Sequence, residues 1–254
     1  MKDFSISPKA EDVRKALQEL SDPNKADFLS RFFKTGPGEY ADGDIFLGIT
    51  VPNQRKIAKQ YKDLSLKEAE VLLQSPIHEE RLTSLFILCY QFEKGDVKLK
   101  KQLHQFYLKN LKYVNNWDLV DLSSRVLIGD YLLDKDRTIL YRLAKSKNLW
   151  ERRISVLSTY ALIRAKDFKD ILKISETLIK DKEDLIQKAV GWMLREVGNR
   201  NRAVEVVFLD RFAERMPRTM LRYAIEKFPE DLKRKYMAAG KNPKPNPKKK
   251  GTRK

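Results

Sequence analysis

Asp121 follows Trp117 by one helical turn in Asn116-Trp117-Asp118-Leu119-Val120-Asp121, which places the carboxylate and the indole on a shared face. Such a pair suits a reaction that develops positive charge. A fixed carboxylate stabilises the cation electrostatically, and an indole face adds about 0.5–2 kcal/mol of cation–π attraction. Arg153 and Trp192 stand at related positions on adjacent repeats and are expected beside that face. Each residue alone has a plainer reading. A tryptophan at helical spacing commonly packs in a core, which is where Trp150 is assigned. Arg153 alone would be a solvated or capping charge, and Asp121 alone a structural salt-bridge partner.

The elements that must position these residues are helices. Leu66, Ala69, Val71, Leu72 and Leu73 mark one apolar face at helical spacing. Leu82, Leu85, Phe86 and Leu88 mark another, with Cys89 beside them. Alternating strand patterns are nearly absent. Polar turns such as Lys94-Gly95-Asp96 and Ala165-Lys166-Asp167 separate the helices, and the glycine-rich stretch from Thr35 to Asp44 reads as a loop.

The helices also repeat. Ser75-Pro76-Ile77-His78-Glu79-Glu80-Arg81-Leu82 resembles Lys147-Asn148-Leu149-Trp150-Glu151-Arg152-Arg153-Ile154, and Glu183-Asp184-Leu185-Ile186-Gln187-Lys188-Ala189-Val190 is a third copy. Arg81 and Arg153 are 72 residues apart, and Arg153 and Lys188 are 35 apart, so a missing copy falls near Trp117. This period predicts an all-α solenoid of HEAT-like antiparallel helix pairs, with a curved, basic concave surface that would cradle a rod-like ligand. Four residues after the aligned position stand Leu85, Asp121, Leu157 and Trp192. An Asp where sister repeats place Leu must face an open groove or be compensated by a partner, because burying a bare carboxylate is costly.

Composition narrows the function. Lys and Arg number 52 against 35 Asp and Glu, a net charge of +17, which favours a polyanionic partner. The basic residues are spread across the repeats, which favours nucleic acid over a membrane surface. One Cys excludes an intramolecular disulfide framework and points to a reducing compartment. Together with His78 and His104 it cannot build a structural zinc site, and no glycine-rich phosphate loop occurs, so no cofactor is expected. No apolar run approaches a membrane span and no signal-peptide core follows the first residues. A monomeric, cytoplasmic, nucleoid-associated protein is expected, with one domain over residues 1–240. Residues 241–254 carry seven basic groups, no acid and three prolines, and are expected to form a disordered basic tail. That tail reads as a solubilising end, a localisation address or a DNA-tethering arm.

Several segments carry a family resemblance. Phe46-Leu47-Gly48-Ile49-Thr50-Val51-Pro52, Asn116 to Asp121, Asn148 to Arg153 and Ile186 to Glu196 resemble the AlkD family of DNA alkylation repair proteins in order and spacing. Met216 to Ile225 is similar to that family's last helix, and the likeness covers about residues 20–235. The resemblance implies a C-shaped, basic, DNA-binding concavity. It also implies DNA glycosylase activity on cationic N3- and N7-alkylpurines in duplex DNA, without flipping the lesion into a pocket. The family's catalytic Asp falls on Asp121, and its two lesion-packing tryptophans fall on Trp117 and Trp192. Its DNA-contacting Arg falls on Arg153, with Arg152 as a register alternative, and Lys188, Arg195 and Arg222 join the expected DNA-binding set. A base alkylated at N3 or N7 is already a good leaving group, so an enzyme needs only to stabilise the sugar cation and place a water.

Two departures bear on which lesions fit: Asn116 stands where a second aromatic precedes the tryptophan in relatives, and the loop before Phe46 is longer. The competing reading is a non-catalytic HEAT-like protein that binds branched or distorted DNA. A scaffold for acidic proteins would explain the charge and the repeats, but not an Asp in an apolar slot beside a tryptophan.

Overall fold

The computed structural model describes residues 7–238, so the basic tail expected at 241–254 lies outside the described residues. Helices α1 (Ala10–Gln18), α2 (Pro23–Ser30) and α3 (Val51–Gln60) open the chain. Outer helices then alternate with inner ones: α4 (Leu66–Leu73) and α5 (His78–Lys94), α6 (Val97–Lys109) and α7 (Trp117–Ser124), α8 (Thr138–Ala144) and α9 (Leu149–Arg164). The series continues with α10 (Lys169–Thr177) and α11 (Asp184–Arg200), α12 (Arg202–Phe212) and α13 (Arg218–Ala224), and ends with α14 (Glu230–Ala238). Each inner helix packs on the next, α5 on α7, α7 on α9, α9 on α11 and α11 on α13. This is the all-α, HEAT-like solenoid the period predicts. The four aligned segments begin α5, α7, α9 and α11 in turn.

Inner and outer helices differ in how they are buried. α5 and α9 are enclosed almost all round, from Leu82 to Cys89 and from Arg153 to Thr159. One buried hydroxyl on each donates to a carbonyl of the outer helix before it: Ser84 to Ala69 O at 2.8 Å and Ser155 to Leu140 O at 2.7 Å. Outer helices bury one stripe. On α4 this stripe is Ala69, Leu72 and Leu73, while Val71, expected on the same face, is 40% exposed. Two residues' spacing from Ala69 carries Val71 to the far side of the helix.

Side-chain caps fix where α7 and α9 start. Asn116 Oδ1 accepts from Trp117 N at 2.8 Å, and Asn148 Oδ1 accepts from Trp150 N at 2.8 Å. α7 continues beyond Ser124 as a π-helical turn, Arg125–Asp130. Between α2 and α3, residues 31–44 form a strap of turns, and Ile45 pairs with Ile77 just before α5. The turn behind the strap is set by Glu79, whose buried carboxylate accepts from Leu47, Gly48 and Ile49 N at 2.9–3.3 Å. Gly48 has φ of 81°, and a Cβ there would lie 2.2 Å from Asp22 O, so only glycine fits.

Candidate active-site cleft

The strap and the starts of three inner helices enclose a cleft of about 630 Å³. Trp117 of α7, Arg153 of α9 and Lys188 and Trp192 of α11 line one side, with Tyr223 of α13. Arg31, Phe32, Lys34 and Tyr40 of the strap line the other. Trp117 and Trp192 are both half-buried, with part of each indole open to the cleft. Helices α7 and α9 present their N-terminal turns here, where unpaired N–H groups and the helix dipole favour an anion.

Asp121 sits behind this wall. It is 7% exposed and is not among the residues lining the cleft. Arg153 Nε donates to Asp121 Oδ1 at 2.8 Å and Arg153 Nη2 to Oδ2 at 2.7 Å, a bidentate ion pair. Arg153 Nη1 also donates to Leu185 O at 2.5 Å, so one guanidinium joins α7, α9 and α11. Burial pushes the Asp121 carboxyl up from the ordinary Asp range, with Arg153 opposing it and Arg125 adding to that opposition. Of the two alternatives open for a carboxylate in this slot, the structure has the second: a partner compensates it.

The repeat frame explains the partner. Arg81, the aligned residue of the earlier copy, is likewise buried and donates to Asp44 Oδ2 at 2.6 Å. Lys188, the aligned residue of the later copy, bridges Asp184 at 2.7 Å and stays open to the cleft. At the Trp117 position no cation is present, so the Arg153 of the next repeat serves Asp121 instead.

The remaining expected residues are placed differently. Arg152 turns to structural partners, donating to Asp181 Oδ2 at 2.8 Å and to the carbonyls of Ser146 and Lys147 at 3.0 Å. Arg195 forms an ion pair with Glu226, and Arg222 is exposed on α13; neither lines the cleft. Trp150 is buried, as its core assignment requires, and meets the ring of Tyr40 edge-on at 5.4 Å.

Sequence reasoning missed the strap's part in the site. Phe33 stacks on Trp117 with ring centroids 5.2 Å apart and planes 11° apart. It also touches Phe46 at 5.0 Å and His78 at 4.8 Å. Asn116, where the resemblance implies an aromatic, caps α7, and Phe33 supplies an aromatic face to Trp117 from 84 positions upstream. Beneath the stack, His78 Nε2 lies 2.7 Å from Asp118 Oδ2 and Nδ1 lies 3.4 Å from Asp44 Oδ2. Burial works against its charged form, but Asp118 and Asp44 outweigh it and push the imidazole up to about 9. Arg125 is a second missed residue: it donates to Asp121 O at 2.8 Å and lies 5.6 Å over the Trp192 ring. The signal available was its place one turn after Asp121.

The sequence model of a family described as "DNA alkylation repair enzyme" matches residues 13–228, most of the chain. The protein belongs to this DNA alkylation repair enzyme family. A solved structure described as a predicted DNA alkylation repair enzyme from Enterococcus faecalis is similar in fold, with a TM-score of 0.66. It is 18% identical, and the likeness covers 83% of this chain and 97% of that one. No curated protein matches the sequence. As a member of the family the protein is a DNA repair enzyme, so DNA is its substrate. No described helix is long and apolar enough to cross a membrane.

Proposed function

We propose that this DNA alkylation repair enzyme is a monofunctional glycosylase. It hydrolyses the N-glycosidic bond of cationic N3- and N7-alkylpurines in duplex DNA without base flipping. The observation that carries the reading is the convergence of Trp117, Trp192, Arg153 and Lys188 on one cleft, with the Asp121 carboxylate directly behind Arg153. The indole faces offer cation–π contact to a charged sugar or base. Lys188 and the helix starts favour a backbone phosphate, which positions the duplex without reading sequence.

Asp121 must reach the reaction from behind Arg153. A phosphate entering the cleft competes for the guanidinium, and as Arg153 turns toward it the carboxylate is left facing the lesion sugar. The base, already positive, leaves with the electron pair of the glycosidic bond. The carboxylate stabilises the sugar cation and orients the water that attacks C1′, whose proton goes to solvent or to the carboxylate.

One observation favours a second reading, binding of distorted or branched DNA without chemistry. Asp121 is fully engaged by Arg153 and held out of the cleft wall. Base release from methylated duplex separates the two. Free 3-methyladenine or 7-methylguanine, lost in Asp121→Asn, supports the glycosylase. Salt-sensitive duplex binding with no release supports the binder.

A further inference from the structure

We propose that Phe32, held between Arg31 and Lys34 on the strap, is an apolar wedge that packs into a base step of the duplex bound in the cleft. The proposal rests on the reading of the cleft as a DNA site. Phe32 lines the cleft and is 58% exposed, and Phe28, 57% exposed, meets it edge-on at 5.4 Å. Two large apolar rings in solvent beside a functional cleft mark a contact surface rather than a packing residue.

The strap holds that ring in place. Phe33, the next residue, is fixed between Trp117, Phe46 and His78, and Tyr40 rests on Trp150. Behind them the Ile45–Ile77 bridge and the Glu79 carboxylate tie the strap's end to α5. Lys34 adopts φ of 47°, a left-handed conformation uncommon for a residue with a side chain, and it turns the strap just after Phe33. Consecutive rings therefore part ways: Phe33 is anchored on Trp117 and Phe32 stands out in the cleft.

The neighbours favour a phosphate-bearing occupant. Arg31 and Lys34 flank the ring and Lys188 lines the cleft from α11. Arg31 is paired with Asp27 and Lys188 with Asp184, and Glu39 and Glu183 also line the cleft, so a phosphate would have to displace carboxylates to reach two of the three cations. An apolar ring between cations is the chemistry used to unstack a base step while gripping its phosphates. Unstacking costs least where a damaged or missing base has already weakened the step, so the wedge favours lesion-bearing DNA. Because Phe33 stacks on Trp117, the wedge is mechanically coupled to the indole of the proposed catalytic group.

The test uses the full chain and a duplex bearing a stable abasic-site analogue with 2-aminopurine beside it. Binding by the parent protein should raise 2-aminopurine fluorescence several-fold. Phe32→Ala should lose most of that rise at saturation, with an unchanged melting temperature and an unchanged salt slope of Kd, while Phe32→Leu keeps much of it. An equal rise in saturated Phe32→Ala would overturn the wedge and leave the DNA-site reading standing. Failure of the parent to bind any duplex would overturn both. A loss of self-association in Phe32→Ala, with fluorescence unchanged, would overturn the wedge in favour of a contact between two copies of the chain.

Discussion

Replacing Asp121 by Asn removes a charge while nearly conserving shape, and two effects follow. A carboxylate about 4 Å from a developing sugar cation contributes about 4 kcal/mol at an effective dielectric near 20. Since about 1.4 kcal/mol is tenfold in rate, excision should slow by up to about 10³-fold. Residual pairing with Arg153 weakens the carboxylate's field, so a loss of about 10²- to 10³-fold is expected. The second effect is structural. Arg153 is buried, and its two donors would face an amide instead of a carboxylate. Breaking a buried pair from one side costs about 3 kcal/mol, which in a chain of this length lowers Tm by roughly 6–12 °C. Single-turnover base release from methylated duplex with protein in excess, at a temperature where the variant stays folded, measures the first effect alone. Excision per bound complex within tenfold of the parent would refute the catalytic role and leave Asp121 a structural partner of Arg153.

Three further outcomes are expected. Trp192→Ala should keep the fold, because the indole is half-buried, and slow single-turnover excision by about tenfold or more through loss of about 1–2 kcal/mol of cation–π contact. Gly191→Ala should lower Tm measurably, by about 1–3 kcal/mol of stability, because its Cβ would lie 2.3 Å from Met220 O and push α11 off α13; an unchanged Tm would show that the interface yields freely. Stability should fall as pH rises from about 5 to 9. Burial pushes the Glu205 carboxyl up to about 8, so the folded state holds a proton that is lost above that value. The raised His78 loses its ion pairs as pH climbs through about 9. Urea titrations across that range should show the decline, and Glu205→Gln should flatten its lower half.

Helical periodicity and the recurrence of Arg81, Trp117, Arg153 and Lys188 were readable because both are local patterns. Each inner helix repeats its own burial rule, and each aligned segment starts one such helix. The same frame singled out Asp121 as a carboxylate in an apolar slot. What it left open was which partner compensates that charge, since the answer lies one repeat away in Arg153. Arg152 illustrates the limit: it adjoins Arg153 in sequence, yet a turn of about 100° on α9 aims it at Asp181 and two loop carbonyls.

By itself, then, the sequence determined an all-helical repeat, a basic surface and the residues from which a cation-stabilising site could be made. Only the tertiary structure decided that Arg153 covers Asp121 and that the strap returns to set Phe33 on Trp117. The physical reason is range. Period and capping act over a few residues along one helix, whereas ion pairing and ring stacking join side chains that only chain closure brings together.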